Sequence, residues 1–205
     1  MFHLRVATHA DVPALGPLIA ASVRGLSAGF YSSAQVESAL VHVFGPDTQL
    51  IADGTYFVVE QDGALVASGG WSRRRTAYGG DQMKGDEDPL IDPTRDAARI
   101  RAFFVHPAWA RRGLARMLYD ACVTDAAAAG FRRLELVATL PGEPLYAALG
   151  FTVADRFSLA MPDGVELPLA RMTRALDDAR IKPAAATDAA RQPARPRGSS
   201  SPPRV

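Results

Sequence analysis

The chain has 205 residues, enough for one domain with a substantial core, and it is 48% hydrophobic and 22% charged, as soluble globular proteins are. Its formal net charge of +1 gives no reason to expect a nucleic-acid or membrane partner. The single cysteine, Cys122, excludes an intrachain disulfide, and the histidines lack metal-ligand spacing, so no metal site is predicted. No signal-peptide core and no run of about 18 apolar residues is present, which predicts a cytoplasmic protein without membrane attachment.

The N-terminal part predicts one strand followed by two helices. Apolar and polar residues alternate over 2–6, as in a half-buried strand. Thr8 can cap the first helix, and Ser32 or Ser33 the second. Pro17 lies inside the first helix, which it is expected to kink or split.

The clearest hairpin surrounds Asp62 and Gly63, which separate two runs rich in β-branched and aromatic residues. Asp-Gly favours a type I′ turn because both central residues need positive φ. Residues 76–97, rich in Gly, Asp and Pro, predict a long loop.

The remaining elements predict a mixed sheet with helices on both faces, in the α/β to α+β range. They alternate as strand, helix, strand, helix and two strands, over residues 98–105, 112–129, 132–140, 141–150, 151–161 and 165–172. We expect a folded domain over 1–174. Residues 175–205, rich in Ala, Pro, Arg and Ser, predict a disordered tail.

The stretch 104–119, FVHPAWARRGLARMLY, joins a strand to a helix through a basic, glycine-containing turn. The first amides of a helix have no intrahelical partner, and the helix dipole adds partial positive charge. Gly113 permits close approach of another backbone, and the neighbouring arginines add formal charge. The turn therefore predicts a phosphate site, with an ordinary basic helix start as the alternative.

Two motifs resemble those of the GNAT N-acetyltransferase family. ARRGLA, at 110–115, is similar to its acyl-CoA pyrophosphate loop, Arg/Gln-x-x-Gly-x-Gly/Ala, and LYAALGF, at 145–151, is similar to its Leu-Tyr-x-x-x-Gly-Phe. The order of elements matches over 2–173. The resemblance implies the GNAT acyl-CoA N-acyltransferase fold, with a mostly antiparallel sheet of six to seven strands, and direct transfer of an acetyl group from acetyl-CoA to an amine on a small molecule or protein. It also implies no metal, and a possible homodimer.

The resemblance further implies which residues bind acetyl-CoA and which act in catalysis. The backbone of Phe103, Phe104 and Val105 would pair with pantetheine, and a backbone amide near Val105 could stabilise the oxyanion. The amides that would bind the pyrophosphate belong to Arg111, Arg112, Gly113, Leu114, Ala115 and Arg116. Tyr146 would protonate the leaving thiolate, since a phenol with a pKa of about 10 stays protonated at neutral pH.

The sequence departs from the family pattern at three places. Ala110 replaces the first Arg or Gln, and Thr139 stands where many relatives have Asn, although its hydroxyl can still bind pantetheine. The fourth strand carries Arg99 and Arg101 where some relatives have a glutamate that acts as the general base.

The general base is therefore open. Glu135, on the fifth strand, is the first candidate and Glu60 the second. The alternative for Glu135 is an ion pair with a nearby arginine.

The acceptor is not specified by the sequence. The resemblance implies that the end of the third strand with the loop 76–97, and the connection 25–31 between the first two helices, border the acceptor groove. Trp71 with residues 73–75, Arg-Arg-Arg, could hold an aromatic or anionic acceptor, or could be a solvated strand end. A GNAT-like module that binds CoA without catalysis is the second hypothesis. A third hypothesis is weak binding of nucleic acid by the basic tail. Its alternative is a tail that only increases solubility. The partners that we expect are acetyl-CoA and an amine.

Overall fold

The computed structural model describes residues 1–85 and 87–176, and its centre is a seven-stranded sheet in the order β1-β2-β3-β4-β5-β7-β6. The strands are β1 (His3–Val6), β2 (Tyr56–Gln61), β3 (Ala64–Ser72), β4 (Ala98–Val105), β5 (Arg133–Thr139), β6 (Thr152–Ala160) and β7 (Glu166–Ala175). The helices are α1 (Val12–Leu26), α2 (Ser33–His42), α3 (Thr48–Ala52), α4 (Leu114–Ala128) and α5 (Glu143–Ala148). All neighbouring strands are antiparallel except β4 and β5, which are parallel. The predicted fold class is confirmed.

Helices cover both faces of the sheet because the strands alternate apolar side chains between them. Val58 of β2 packs in one core cluster with Leu15 and other residues of α1. The next residue, Val59, packs in another cluster with Leu114 and Leu118 of α4. Successive strand residues point to opposite faces, so α1 and α4 lie on opposite sides.

The hairpin turn forms as expected, Pro17 does not split its helix, and one helix was not predicted. Asp62 and Gly63 have φ of 53° and 80°, as the type I′ turn requires. Pro17 neither splits nor ends α1, which continues from Val12 to Leu26. Helix α3, five residues long, was not predicted from the sequence. The Asp47 carboxylate caps it by accepting from the Leu50 amide at 3.1 Å.

Strand β7 continues past residue 174, the expected end of the folded domain. Strand β7 ends at Ala175, and Leu176 is buried, with its amide bonded to the Arg132 carbonyl at 2.9 Å. The predicted disordered tail from residue 177 onward lies outside the described residues. Within the described part, no helix is both long enough and apolar enough to span a bilayer.

A β-bulge in β4 is the feature that shapes the site. Ser68 of β3 pairs with Phe104, and Gly70 pairs with Arg101, so two residues of β4 oppose the single Gly69. One of those two, Ala102, has φ of 55°. A Cβ on Gly69 would lie 2.7 Å from the Phe103 ring, so glycine is needed for this packing. Bulges bend a strand and re-aim its side chains.

Strands β4 and β5 are paired at one end only. Their ladder joins Ala98 to Leu134 and Arg99 to Glu135 and extends no further among the described residues. Beyond Arg99 the bulged strand therefore leaves an opening in the middle of the sheet.

Gly69→Ala should destabilise the protein by about 1–3 kcal/mol, because the new methyl group must displace the Phe103 ring. Urea denaturation followed by fluorescence measures this loss. Gly16→Ala is the matched control: it lies within α1 with no atom near its built Cβ, so it should be neutral or stabilise by up to about 1 kcal/mol. Equal stability of the two variants would contradict a packing requirement at Gly69.

Candidate active site

A cavity of about 900 Å³ occupies the opening between β4 and β5. The bulged strand contributes its floor, the first turn of α4 one end, and α5 one side. The end of α1 and the segment after β3 contribute the other walls. The cavity thus brings together residues that are distant along the chain.

The turn before α4 has the geometry of an anion site. Gly113 is the N-cap residue with φ of 83°, and Arg111 also has positive φ, 63°. The first intrahelical bond runs from the Met117 amide to the Gly113 carbonyl, so the amides of the preceding residues are not used by the helix. These amides and the helix dipole favour a negatively charged group at this end of the cavity.

The basic side chains of this turn divide between two positions. Arg111 and Arg116 line the cavity. Arg112 does not: its guanidinium lies over the Trp109 ring, 4.8 Å from the ring centroid. Leu114 and Ala115 also line the cavity, and the Leu114 side chain is in the core.

Phe103, Phe104 and Val105, whose backbone was expected to pair with pantetheine, line the cavity. The Val105 amide, however, is not free: it donates to the hydroxyl of Ser22 on α1 at 3.0 Å. The next amide, of His106, bonds to the Val66 carbonyl of β3 at 2.9 Å. The Val105 amide, which was considered for stabilising the oxyanion, is therefore already bonded to Ser22, a buried residue that lines the cavity.

Tyr146 lies on α5 with its ring against the cavity wall. Its ring centroid is 6.3 Å from that of Phe103 and 5.9 Å from that of Phe151, both edge to face. No hydrogen-bond partner for its hydroxyl occurs among residues 1–85 and 87–176, and burial raises the pKa of this phenol above its usual range. The group is therefore a protonated donor at neutral pH.

Thr139, at the end of β5, also lines the cavity. Its carbonyl accepts from the Gly142 amide at 2.9 Å, forming the turn into α5. A Cβ on Gly142 would lie 3.2 Å from the Thr139 hydroxyl oxygen, so the turn is tightly packed there.

The two candidate bases lie elsewhere. Glu135 forms an ion pair with Arg99 and a second, at 3.6 Å, with Arg171, and it is not among the residues that line the cavity. Glu60 pairs with Arg5 of β1 at 2.5 Å. Both carboxylates thus form ion pairs with arginine. For Glu135 this is the arrangement that was considered as the alternative to a general base.

Two side chains of the Trp-Arg segment considered for the acceptor, Trp71 and Arg74, bind other parts of the protein. The buried Trp71 donates its indole N–H to Asp125 of α4 at 2.8 Å. Arg74 binds the Asp53 carboxylate at 2.6 Å and 2.7 Å. Neither side chain lines the cavity.

Cys122 is fully buried, and burial raises the pKa of its thiol well above the usual range, which disfavours a thiolate nucleophile.

Further side chains on the cavity wall include Ser22, Phe30, Phe44 and Tyr78. Phe30 and Tyr78 belong to the two segments, 25–31 and 76–97, that were expected to border the acceptor groove. Ser22 and Phe44 were not predicted, because their elements meet the cavity only through tertiary packing. Arg101, noted only as a departure from the family pattern, also lines the cavity and holds its far wall.

Arg101 is 4% exposed, and its guanidinium donates to the carbonyls of Thr76 at 3.1 Å and Gly79 at 2.6 Å. It also pairs with Asp47 at 2.9 Å. Burial lowers the pKa of Arg101, while Asp47 opposes that shift. The side chain therefore anchors the loop after β3 against the sheet.

Residues 27–151, more than half of the chain, match the acetyltransferase (GNAT) family. The protein is a member of the GNAT family. This match spans the cavity-lining turn, the bulged strand and α5, so the resemblance of the two motifs is confirmed. No curated protein gives a significant match to the sequence.

Solved GNAT structures share the fold at low sequence identity. A GCN5-related N-acetyltransferase from Rhodopseudomonas palustris superposes with a TM-score of 0.63 at 21% identity, covering 85% of this chain and 95% of that one. PaiA N-acetyltransferase from Thermoplasma acidophilum, in complex with coenzyme A, gives 0.58 at 14% identity, covering 85% and 99%. The putative acetyltransferase YncA from Salmonella typhimurium, with acetyl-CoA, gives 0.55 at 20% identity, covering 93% and 99%.

Proposed function

We propose that this GNAT protein is an enzyme that transfers an acetyl group from acetyl-CoA to an amine, directly and within a ternary complex. The observation that carries the proposal is the single cavity that joins the anion-binding turn at Gly113, the open edge of β4 and the phenol of Tyr146. Family membership supports acetyl transfer in general, and structures of similar fold are described with coenzyme A and acetyl-CoA.

Acetyl-CoA would lie along the opening in the sheet. Its pyrophosphate would accept from the amides at the start of α4, with Arg111 and Arg116 adding charge. Its pantetheine arm would run along β4 toward Thr139. The thioester would then lie in the cavity close to Tyr146. No step requires a metal, and the described residues contain no group of metal-binding side chains.

The reaction would proceed by attack of the neutral amine nitrogen on the thioester carbonyl. The C–N bond forms, the carbonyl becomes an oxyanion, and collapse breaks the C–S bond. Tyr146 would donate its proton to the leaving thiolate, and the amine would lose its proton to water. Ser22, which accepts from the Val105 amide, has a hydroxyl that could stabilise the oxyanion.

No residue on the described cavity wall is a carboxylate or a histidine. Glu135 and Glu60 therefore have no part in the proposed mechanism. The same observation favours the second candidate, a module that binds CoA without catalysis. A homodimer and a cytoplasmic location stay predictions.

Gly113→Glu tests the cofactor site. A carboxylate at this turn would repel the pyrophosphate, so affinity for acetyl-CoA should fall by at least about tenfold in a calorimetric titration. Gly164→Glu is the matched control, since both glycines have nearly equal φ, 83° and 82°, and no atom near the built Cβ. It lies between β6 and β7, outside the cavity, and should bind like the wild type. Undiminished binding by Gly113→Glu would place the cofactor elsewhere.

Tyr146→Phe tests the general acid. The variant keeps the ring contacts, so its affinity for acetyl-CoA should be unchanged, while kcat should fall by about 100- to 10,000-fold. Calorimetry gives the affinity, and release of free CoA thiol gives the rate. An unchanged rate across the pH range would remove the acid role and leave the rest of the proposal intact.

The pH dependence of kcat/KM tests whether the enzyme uses a general base. The reactive species is the neutral amine, so log(kcat/KM) should rise with slope one until the pH reaches the pKa of the acceptor, about 10 for an alkylamine. Because burial raises the pKa of Tyr146, the acid stays protonated and no decline should appear over this interval. Initial rates of thiol release from pH 6 to 9.5 measure the profile. A plateau beginning near pH 7 would instead indicate a titrating base.

A further inference from the structure

We infer that the acceptor is a small molecule with one amine and an apolar or aromatic body, not a polyamine or a polypeptide. This inference rests on the proposed function. It concerns the part of the cavity between the α1–α2 connection and the loop after β3, here called the acceptor chamber, with Phe30, Phe44, Tyr78 and Arg101 on its walls.

Three aromatic side chains lie on the chamber wall, those of Phe30, Phe44 and Tyr78. The Phe44 ring packs on Phe104 of the bulged strand, with centroids 6.1 Å apart. The Tyr78 ring lies 6.1 Å from Phe157 of β6. Phe30 is 51% exposed, so its ring has free surface at the cavity wall that an apolar ligand could cover.

Both walls of the chamber are tied to the sheet. The Tyr31 hydroxyl donates to the Pro168 carbonyl of β7 at 2.6 Å and accepts from the Leu140 amide, just after β5, at 2.9 Å. Tyr31 thereby holds the α1–α2 connection across the carboxyl end of β5. A polypeptide acceptor needs an open path for its chain, and the two bonds of Tyr31 close the space between the α1–α2 connection and the ends of β5 and β7.

The opposite wall is held as firmly. The Gly80 amide bonds to the Val43 carbonyl at 2.8 Å, next to the Arg101 bond to Gly79. A Cβ on Gly80 would lie 2.9 Å from the Gly45 backbone, so the two segments are in direct contact. The chamber therefore accommodates a compact acceptor.

The charges around the chamber disfavour a second ammonium group. Arg101 lines it, and no carboxylate does so among the described residues. The acids around Arg101 do not line the chamber: Asp47 pairs with Arg101 itself, and Asp81 pairs with Lys84 at 3.0 Å. Asp88 accepts from the Thr76 amide at 2.8 Å, and Glu143, near Tyr146, pairs with Arg156 at 2.6 Å. A diamine or polyamine would lose hydration on its second cation without gaining a counter-ion.

The test is a comparison of acceptors with the full chain and acetyl-CoA, measured as thiol release. The panel contains 2-phenylethylamine, n-hexylamine, 1,4-diaminobutane, spermidine and a hexapeptide with one free α-amine. We expect kcat/KM for the two apolar monoamines to exceed those for the diamine, spermidine and the peptide by at least about tenfold.

Phe30→Asp and Phe30→Leu form a matched pair at the chamber wall. The carboxylate should lower kcat/KM for 2-phenylethylamine and raise it for spermidine, so that the ratio of the two changes by at least about tenfold. Phe30→Leu keeps an apolar surface and should preserve the order of preference. A calorimetric titration of acetyl-CoA confirms that each variant is folded and binds the cofactor.

The outcomes separate this inference from the proposed function. If the wild type did not bind acetyl-CoA, the proposed function would be overturned. Binding with preferred acetylation of spermidine or the hexapeptide would leave that function standing and overturn the inference. Binding without acetylation of any amine would overturn the inference and favour the non-catalytic module.

Discussion

The close approach of Gly69 to the Phe103 ring is the contact on which the site depends. Without a Cβ on β3, two residues of β4 can oppose one, and the strand bends away from β5. A sheet normally satisfies its backbone groups by pairing, so an interrupted ladder leaves groups that a ligand can satisfy. The bulge therefore converts the centre of a sheet, usually its most stable part, into a binding edge.

Much of the fold was predictable because local chemistry and tertiary packing agree. The Asp62-Gly63 turn needs only two residues with positive φ, and the period of α4 follows from its apolar face. Helix α3 was missed because it is one short segment stabilised by the Asp47 cap, which in turn depends on ion pairs from the distant Arg101 and Lys84. Pro17 does not split α1, because tertiary packing of the helix offsets the cost of one lost hydrogen bond.

The two motifs identified the cofactor end of the site but not its acceptor end. Backbone geometry at Gly113 follows from local sequence, so a pattern can reveal it. Glu135 appeared as a base because alternation gives the face of a strand but not its neighbours across the ladder. The parallel register places Arg99 opposite Glu135, and the ion pair follows from that register. Phe30, Phe44 and Tyr78 belong to segments whose contacts form only in the folded chain.

Arg101 links the proposed chemistry to the proposed selectivity. A buried guanidinium is retained here because two carbonyls and Asp47 satisfy most of its donors, and the same bonds fix the loop that walls the chamber. Because Asp47 compensates its charge, the guanidinium offers no counter-ion to an ammonium group, and the low polarity of the chamber would favour the neutral form of a bound amine. An acceptor that binds already neutral needs no carboxylate to remove its proton. Strand β4 lacks the glutamate that serves as the base in some relatives, and the proposed acceptor is an apolar monoamine. These two features can thus have one physical origin.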